Sequence, residues 1–244
     1  MAIRVLAIIP ARGGSQGIPR KAVSPLGGKP LIVHTIAASL ASNLIERTLV
    51  STDDEQIASV ARAAGAEVPF MRPPELATGT ASMDLAVDHV LDELEKRERY
   101  TPDAYVILQP TNPFRTAVHI DEAIRLMEEC GANSVMGVSE PTEHPAEMVT
   151  FSSGKMASIL DAIDLGSGVQ RQGYPTCYFL NGALYLTRVA AYREQKTRFA
   201  APAVPYLMDS LDGFDIDTPH DLTLAELIHL YRLRNIDSSC SKDP

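Results

Sequence analysis

Residues 5–10 read Val-Leu-Ala-Ile-Ile-Pro, an unbroken apolar run, and the sequence then changes at once to Ala11-Arg12-Gly13-Gly14-Ser15-Gln16-Gly17-Ile18-Pro19-Arg20-Lys21. Such a run predicts a buried strand that delivers a glycine-rich, basic loop to one edge of a sheet. Glycines let backbone N–H groups approach a phosphate closely, and Arg12, Arg20 and Lys21 supply charge for a polyanion. The loop is not a Walker loop, because no Gly-Lys-Ser/Thr follows at the required spacing. Nor is it the dinucleotide fingerprint, since Pro19 and Pro25 delay the next helix. A phosphate loop of a third kind is expected; the alternative is an ordinary strand-to-helix turn.

Downstream, helical and strand patterns alternate. Pro30–Leu40 has helical apolar spacing with proline in its first turn, and Arg47–Ser51 reads as a strand. Asp53-Asp54-Glu55 opens a helix that Gly65 closes, before an expected short strand from Glu67 to Met71. Helices over 82–97 and 118–130 precede strands over 104–108 and 134–138. The alternation predicts an α/β fold: a Rossmann-like, mostly parallel sheet with helices on both faces, and ligands beyond the carboxyl ends of its strands. From Glu140 to Asn181 the rhythm breaks, which predicts an inserted arm over 140–181. The α/β domain is then 1–139 and 182–234, with strands over 178–186 and 204–207, a closing helix over 219–233 and a polar tail over 235–244.

The net charge of -9 and the absence of a basic stripe exclude a nucleic-acid surface. An acidic chain still binds a nucleotide when positive charge is local. No apolar run approaches a membrane span and no signal-peptide pattern precedes Val5, so a cytoplasmic protein is expected. Cys130, Cys177 and Cys240 are scattered and odd in number, which fits neither a disulfide framework nor a cysteine-rich zinc site.

Asp215-Ile216-Asp217 carries the clearest chemistry among the later motifs. In an extended strand the two carboxylates share one face, with Phe214 and Ile216 opposite, and an acid pair of this kind attracts a hard divalent cation such as Mg²⁺. The competing reading is that Asp217-Thr218-Pro219 caps the final helix.

Ile9 to Lys21, with Gly28-Lys29-Pro30-Leu31, resembles the acylneuraminate cytidylyltransferase (CMP-sialic acid synthetase) family, and further motifs follow in the family's order as far as Leu222. The resemblance implies transfer of a cytidylyl group from CTP to an acidic sugar in a homodimer, with the arm covering the partner's sugar site. By motif it places Ala11, Arg12, Gly13, Gly14, Ser15 and Lys21 on the nucleotide, with Arg12, Lys21 and Asp217 catalytic and Asp215 and Asp217 on Mg²⁺. It also assigns Arg72, Thr80 and Ser82 to the base; an arginine donor suits cytosine's acceptor edge, although Ser82 serves equally as a plain N-cap. Gln109, Arg171, Asn181 and Tyr185 are implied sugar contacts. Three positions depart from the pattern: Gln16 stands where lysine is usual, Ala22 where asparagine is usual, and Glu147 where some sialate enzymes carry a substrate-binding lysine. Glu147 therefore points to an unusual acid, such as a diamino nonulosonic acid, as the acceptor. Other expectations left open are transfer to a shorter ulosonic acid or a phosphonate, and a catalytically silent nucleotide-binding module.

Overall fold

The computed structural model describes residues 3–15, 17–152, 154–158 and 173–240. In chain order, the first half holds strand β1 (Val5–Pro10), the two-residue strands β2 (Pro25–Leu26) and β3 (Lys29–Pro30), helix α1 (Leu31–Leu40) and strand β4 (Ile45–Ser51). It continues with helix α2 (Glu55–Ala63), helix α3 (Met83–Glu98) and strand β5 (Ala104–Ile107). The second half holds α4 (Ala117–Glu129), β6 (Ser134–Ser139), a hairpin of β7 (Val149–Ser152) and β8 (Lys155–Ser158), β9 (Phe179–Arg188), α5 (Val189–Gln195), β10 (Ala203–Leu207) and α6 (Pro219–Cys240).

Six strands form one sheet in the order β10-β6-β9-β5-β1-β4. β1 runs parallel to β4 and β5, β10 runs parallel to β6, and β9 is antiparallel to both its neighbours. The unbroken apolar run at 5–10 has a direct cause, because each side of β1 meets a different layer of helices. Val5, Ala7 and Ile9 pack with Ile32 and Ile36 of α1, Ile57 and Ala61 of α2, and Ile124 and Met127 of α4. Leu6 and Ile8 face Val87, Leu91 and Leu94 of α3 and Tyr192 of α5. Fully burying a leucine or isoleucine side chain contributes about 1.5–3 kcal/mol relative to exposing it, so a polar residue on either face would be costly.

Local chemistry sets the helix starts. Asp54 caps α2, its carboxylate accepting from the backbone N–H groups of Gln56 (2.8 Å) and Ile57 (3.0 Å). Ser82 caps α3 by accepting from Asp84 N–H at 3.1 Å.

Four expectations need correction. The strand expected at 67–71 is a single bridge between Leu49 and Glu67, because Pro69, the next residue in position to donate to β4, has no N–H. Helix α5 was not anticipated; at seven residues it is too short to show a helical period. Helix α6 continues through Asn235 to Cys240, where a tail was expected. Asp215 to Asp217 is extended chain between β10 and α6 and not a strand, tethered by Ile216 N–H donating to the Thr111 carbonyl at 2.9 Å.

Candidate active site

The carboxyl ends of β1, β4 and β5 meet at one edge of the sheet, and antiparallel β9 begins at that edge. Gln109, just after β5, donates from Nε2 to the Gly182 carbonyl of β9 at 3.2 Å. Between the loop after β1 and the start of α3 lies a cleft of about 530 Å³. Its walls include Ala11, Arg12, Ser15, Lys21, Arg72, Ser82, Gln109 and Asp217, with Leu76, Met83 and Ala86 supplying apolar surface.

The glycine loop is held open by acids behind it. Gly13 N–H donates to Asp53 Oδ1 at 3.0 Å, and a methyl group on Gly13 would come within 2.9 Å of Asp54 Oδ2. Arg12 reaches across the mouth to donate from Nη1 to the Thr78 carbonyl at 2.6 Å. Arg20 turns away, donating to Gln56 and pairing with Asp54, so it does not line the cleft. Gly13 and Gly14 are not in the lining either, whereas Ser15 and Gly17 are.

Arg72 is buried and tied to β4, with Nε donating to Ser51 Oγ at 3.0 Å and Nη2 to the Ser51 carbonyl at 2.5 Å. Burial lowers its pKa to about 10; Arg12 pushes the same way and Asp53 opposes. It therefore carries its charge at neutral pH, on a fork that the strand holds in one orientation. Ser82 lines the cleft and also caps α3. Thr80 is exposed, and its neighbours Thr78, Gly79 and Ala81 line the cleft in its place.

The acid loop closes the opposite side. Lys21 Nζ donates to Asp217 Oδ1 at 2.9 Å and to the Ile216 carbonyl at 2.7 Å. Phe214 and Ile216 pack with Ile18, Leu26 and Phe114, which turns the two acids away from that cluster. Helix α6 is capped by Thr218 and Asp221. Asp221 N–H donates to Thr218 Oγ1 at 3.2 Å, and the Asp221 carboxylate accepts from Thr218 N–H (2.7 Å) and Asp217 N–H (3.0 Å). The Asp217 carboxylate is thus not the cap.

Burial pushes the Asp215 carboxyl above the ordinary carboxylate range and the Asp217 charge adds to this, while Thr111, Lys21 and Ile216 N–H oppose it. Its Oδ1 is buried with no hydrogen-bond partner among the described residues. An orphaned carboxylate oxygen beside a second acid fits a hard divalent cation. No group of three or more His, Cys, Asp or Glu among the described residues is placed to hold a metal, so phosphate oxygens and water would complete the shell.

The sugar contacts fare unevenly. Gln109 lines the cleft. Asn181 is buried, and its side chain is used internally: Nδ2 donates to Ser139 Oγ and Oδ1 accepts from Ala183 N–H, both at 3.0 Å. It is a brace for β9. Tyr185 is likewise a core residue and not a cleft residue, its ring against Phe199 and beneath the Arg198 guanidinium. Glu147 is exposed on a single 3-10 turn, Pro145–Glu147, and does not line the cleft of its own chain. Arg171 and Gln16 lie outside the described residues.

Sequence reasoning missed Asp53, Asn112 and Arg115. Buried Asn112 donates to the carbonyls of Asn181 (2.9 Å), Gly213 and Phe214 (both 3.3 Å), joining the β5 loop, β9 and the acid loop. Arg115, also buried, donates to the carbonyls of Ala183 and Gln109 and to Thr35 Oγ1. Their signal was the polar run Gln109-Pro110-Thr111-Asn112-Pro113-Phe114-Arg115, in which only the glutamine drew attention.

The chain is similar to known proteins along most of its length. A family model described as cytidylyltransferase matches residues 6–235. The CMP-N,N'-diacetyllegionaminic acid synthase of Legionella pneumophila is 37% identical over 226 residues, covering 92% of this chain and 95% of that protein. An N-acylneuraminate cytidylyltransferase of Streptococcus agalactiae is 32% identical over 237 residues, covering 95% of this chain and 55% of that protein, so the chain spans about half its length. A solved CMP:2-keto-3-deoxy-manno-octonic acid synthetase in complex with CTP shares the fold, with TM-score 0.67 and 17% identity over 95% of this chain and 99% of that one.

Proposed function

Because the chain belongs to the cytidylyltransferase family and is a CTP-dependent nucleotidyltransferase, we propose that it activates an acidic nine-carbon sugar as its CMP derivative. The observation that carries this reading is one cleft lined by the buried Arg72, by Arg12 and Lys21, and by Asp217 in contact with Lys21. This set of charges suits a cytosine, a triphosphate and its cation.

In this reading Arg72 donates to the base, Arg12 and Lys21 hold the phosphates, and Gln109 meets the sugar. Asp215 and Asp217 would hold Mg²⁺, which when bound neutralises phosphate charge. The acceptor's anomeric hydroxyl loses its proton to water and forms a bond to the α-phosphorus as the bond to pyrophosphate breaks, and positioning with charge neutralisation supplies most of the acceleration. Two features favour a diamino nonulosonic acid over N-acetylneuraminate: Glu147 in place of a cation, and 37% identity to a protein named for a diacetyl acid. A carboxylate near an acidic sugar repels it unless the sugar brings compensating groups. Pyrophosphate release with each nucleoside triphosphate and each acid is the test. CTP with a diacetyl nonulosonic acid should give the highest kcat/KM, and Glu147→Lys should improve use of N-acetylneuraminate. Preference for ATP or GTP, or indifference to the Glu147 change, would count against this assignment.

The protein is proposed to act as a cytoplasmic homodimer. No helix among the described residues is long and apolar enough to cross a membrane. On and beside the arm, Met148, Phe151, Tyr178, Phe179, Leu180 and Leu207 are all exposed, Phe151 by 78%. An apolar surface of this kind needs a cover, and a second copy supplies one. Light scattering at micromolar concentration should give about twice the 26.5 kDa of the chain; a monomer would reject the interface. Cell fractionation tests the compartment, and recovery with the membrane fraction would contradict it.

A further inference from the structure

Lys21 stands where two requirements collide. Its ammonium is 2.9 Å from Asp217 Oδ1 and 2.7 Å from the Ile216 carbonyl, and its side chain is 12% exposed against 74% for Asp217. The glycine loop presses on the same spot, since a methyl group on Gly17 would lie 2.2 Å from the Asp217 carbonyl oxygen. The acid loop is thereby held to the glycine loop by a cation that belongs to the chain. The Asp217 carboxylate engaged by this lysine belongs to the acid pair suited to a divalent cation, and Asp215 Oδ1 lacks a hydrogen-bond partner among the described residues.

We propose that Lys21 is an internal stand-in for the divalent cation: it occupies Asp217 until a triphosphate draws it onto phosphate oxygens, so the metal enters with the nucleotide and not ahead of it. The inference rests on the reading of Asp215 and Asp217 given above. A metal ion arriving alone must displace an ammonium from direct contact and approach it as a like charge. A metal–nucleotide complex brings anionic oxygens that replace the carboxylate as the partner of Lys21. Lys21, Arg12 and Asp217 line one cleft, so the exchange needs the swing of one flexible side chain and no movement of the sheet.

Binding of Mn²⁺, followed by its electron paramagnetic resonance signal without any acceptor, tests this. The wild-type protein should bind Mn²⁺ weakly alone and much more tightly with CTP. Lys21→Met should bind Mn²⁺ without nucleotide roughly tenfold more tightly than wild type, the size of effect expected on removing one positive charge from contact range. Lys21→Arg, which keeps the charge, should stay close to wild type, and adding Asp217→Asn to Lys21→Met should abolish the gain. Equal affinity for nucleotide-free Mn²⁺ in wild type and Lys21→Met overturns the inference. So does a gain that persists without the Asp217 carboxylate, or one that Lys21→Arg reproduces. No turnover is needed, so a chain that shows the exchange yet releases no pyrophosphate keeps the inference and loses the proposed reaction.

Discussion

Asp217→Asn should lower turnover by about three orders of magnitude and leave the melting temperature close to that of wild type. The expected loss follows from removing one of two carboxylates placed to hold Mg²⁺ at the phosphates. The expected stability follows from the cap, which is made by Thr218 and Asp221 and uses only the backbone N–H of Asp217. The Lys21–Asp217 ion pair is lost, but the Asp217 side chain is 74% exposed and Lys21 keeps the Ile216 carbonyl at 2.7 Å, so the cost is on the order of 1 kcal/mol. Thr218→Ala is the mirror experiment: loss of an N-cap hydroxyl costs about 1 kcal/mol of stability and should leave turnover per folded molecule nearly intact. Steady-state rates and thermal melts on both variants decide the matter. A melting temperature several degrees lower in Asp217→Asn, with normal rate per folded molecule, would show that the acid is structural.

Gly17→Ala should cost about a hundredfold in turnover, whereas Gly14→Ala should cost little on steric grounds. A methyl group on Gly17 meets the Asp217 carbonyl oxygen at 2.2 Å, and that obstacle is backbone. Either the glycine loop or the acid loop must shift, and a displacement near 1 Å at a phosphate site costs on the order of a hundredfold. At Gly14 a methyl group meets nothing within 4 Å. Comparable kcat values for the two variants would mean that the Gly17 contact with the acid loop does not govern the reaction.

These contrasts show where the sequence was legible. The run at 5–10 predicted a strand buried on both faces because burial of that kind leaves no room for a polar residue. Asp54, Ser82 and Gly65 marked helix ends because capping depends on neighbours a few residues away. The contacts that make the cleft are of a different kind. Lys21 and Asp217 are 196 positions apart, Arg12 and Thr78 are 66 apart, and Asn112 joins segments about 70 and 100 positions downstream. No local spacing carries such information. The motif alone could not separate Asn181, which braces β9, from a residue that faces a ligand, because buried and exposed asparagines look alike until the sheet order is known. The alternation at 214–217 was legible and its setting was not: Phe214 and Ile216 do turn inward, but on extended chain held by Thr111 and the α6 cap, not on a strand.

The central claim is transfer of a cytidylyl group to an acidic nonulosonic sugar, and phosphorus NMR of the complete reaction tests it most directly. With CTP, Mg²⁺ and a diacetyl nonulosonic acid, the three CTP resonances should be replaced by pyrophosphate and one phosphodiester signal, with a product mass equal to the sugar plus CMP less water. CTP left intact across a panel of nonulosonic and shorter ulosonic acids, or its hydrolysis to CMP with no sugar attached, would contradict the account.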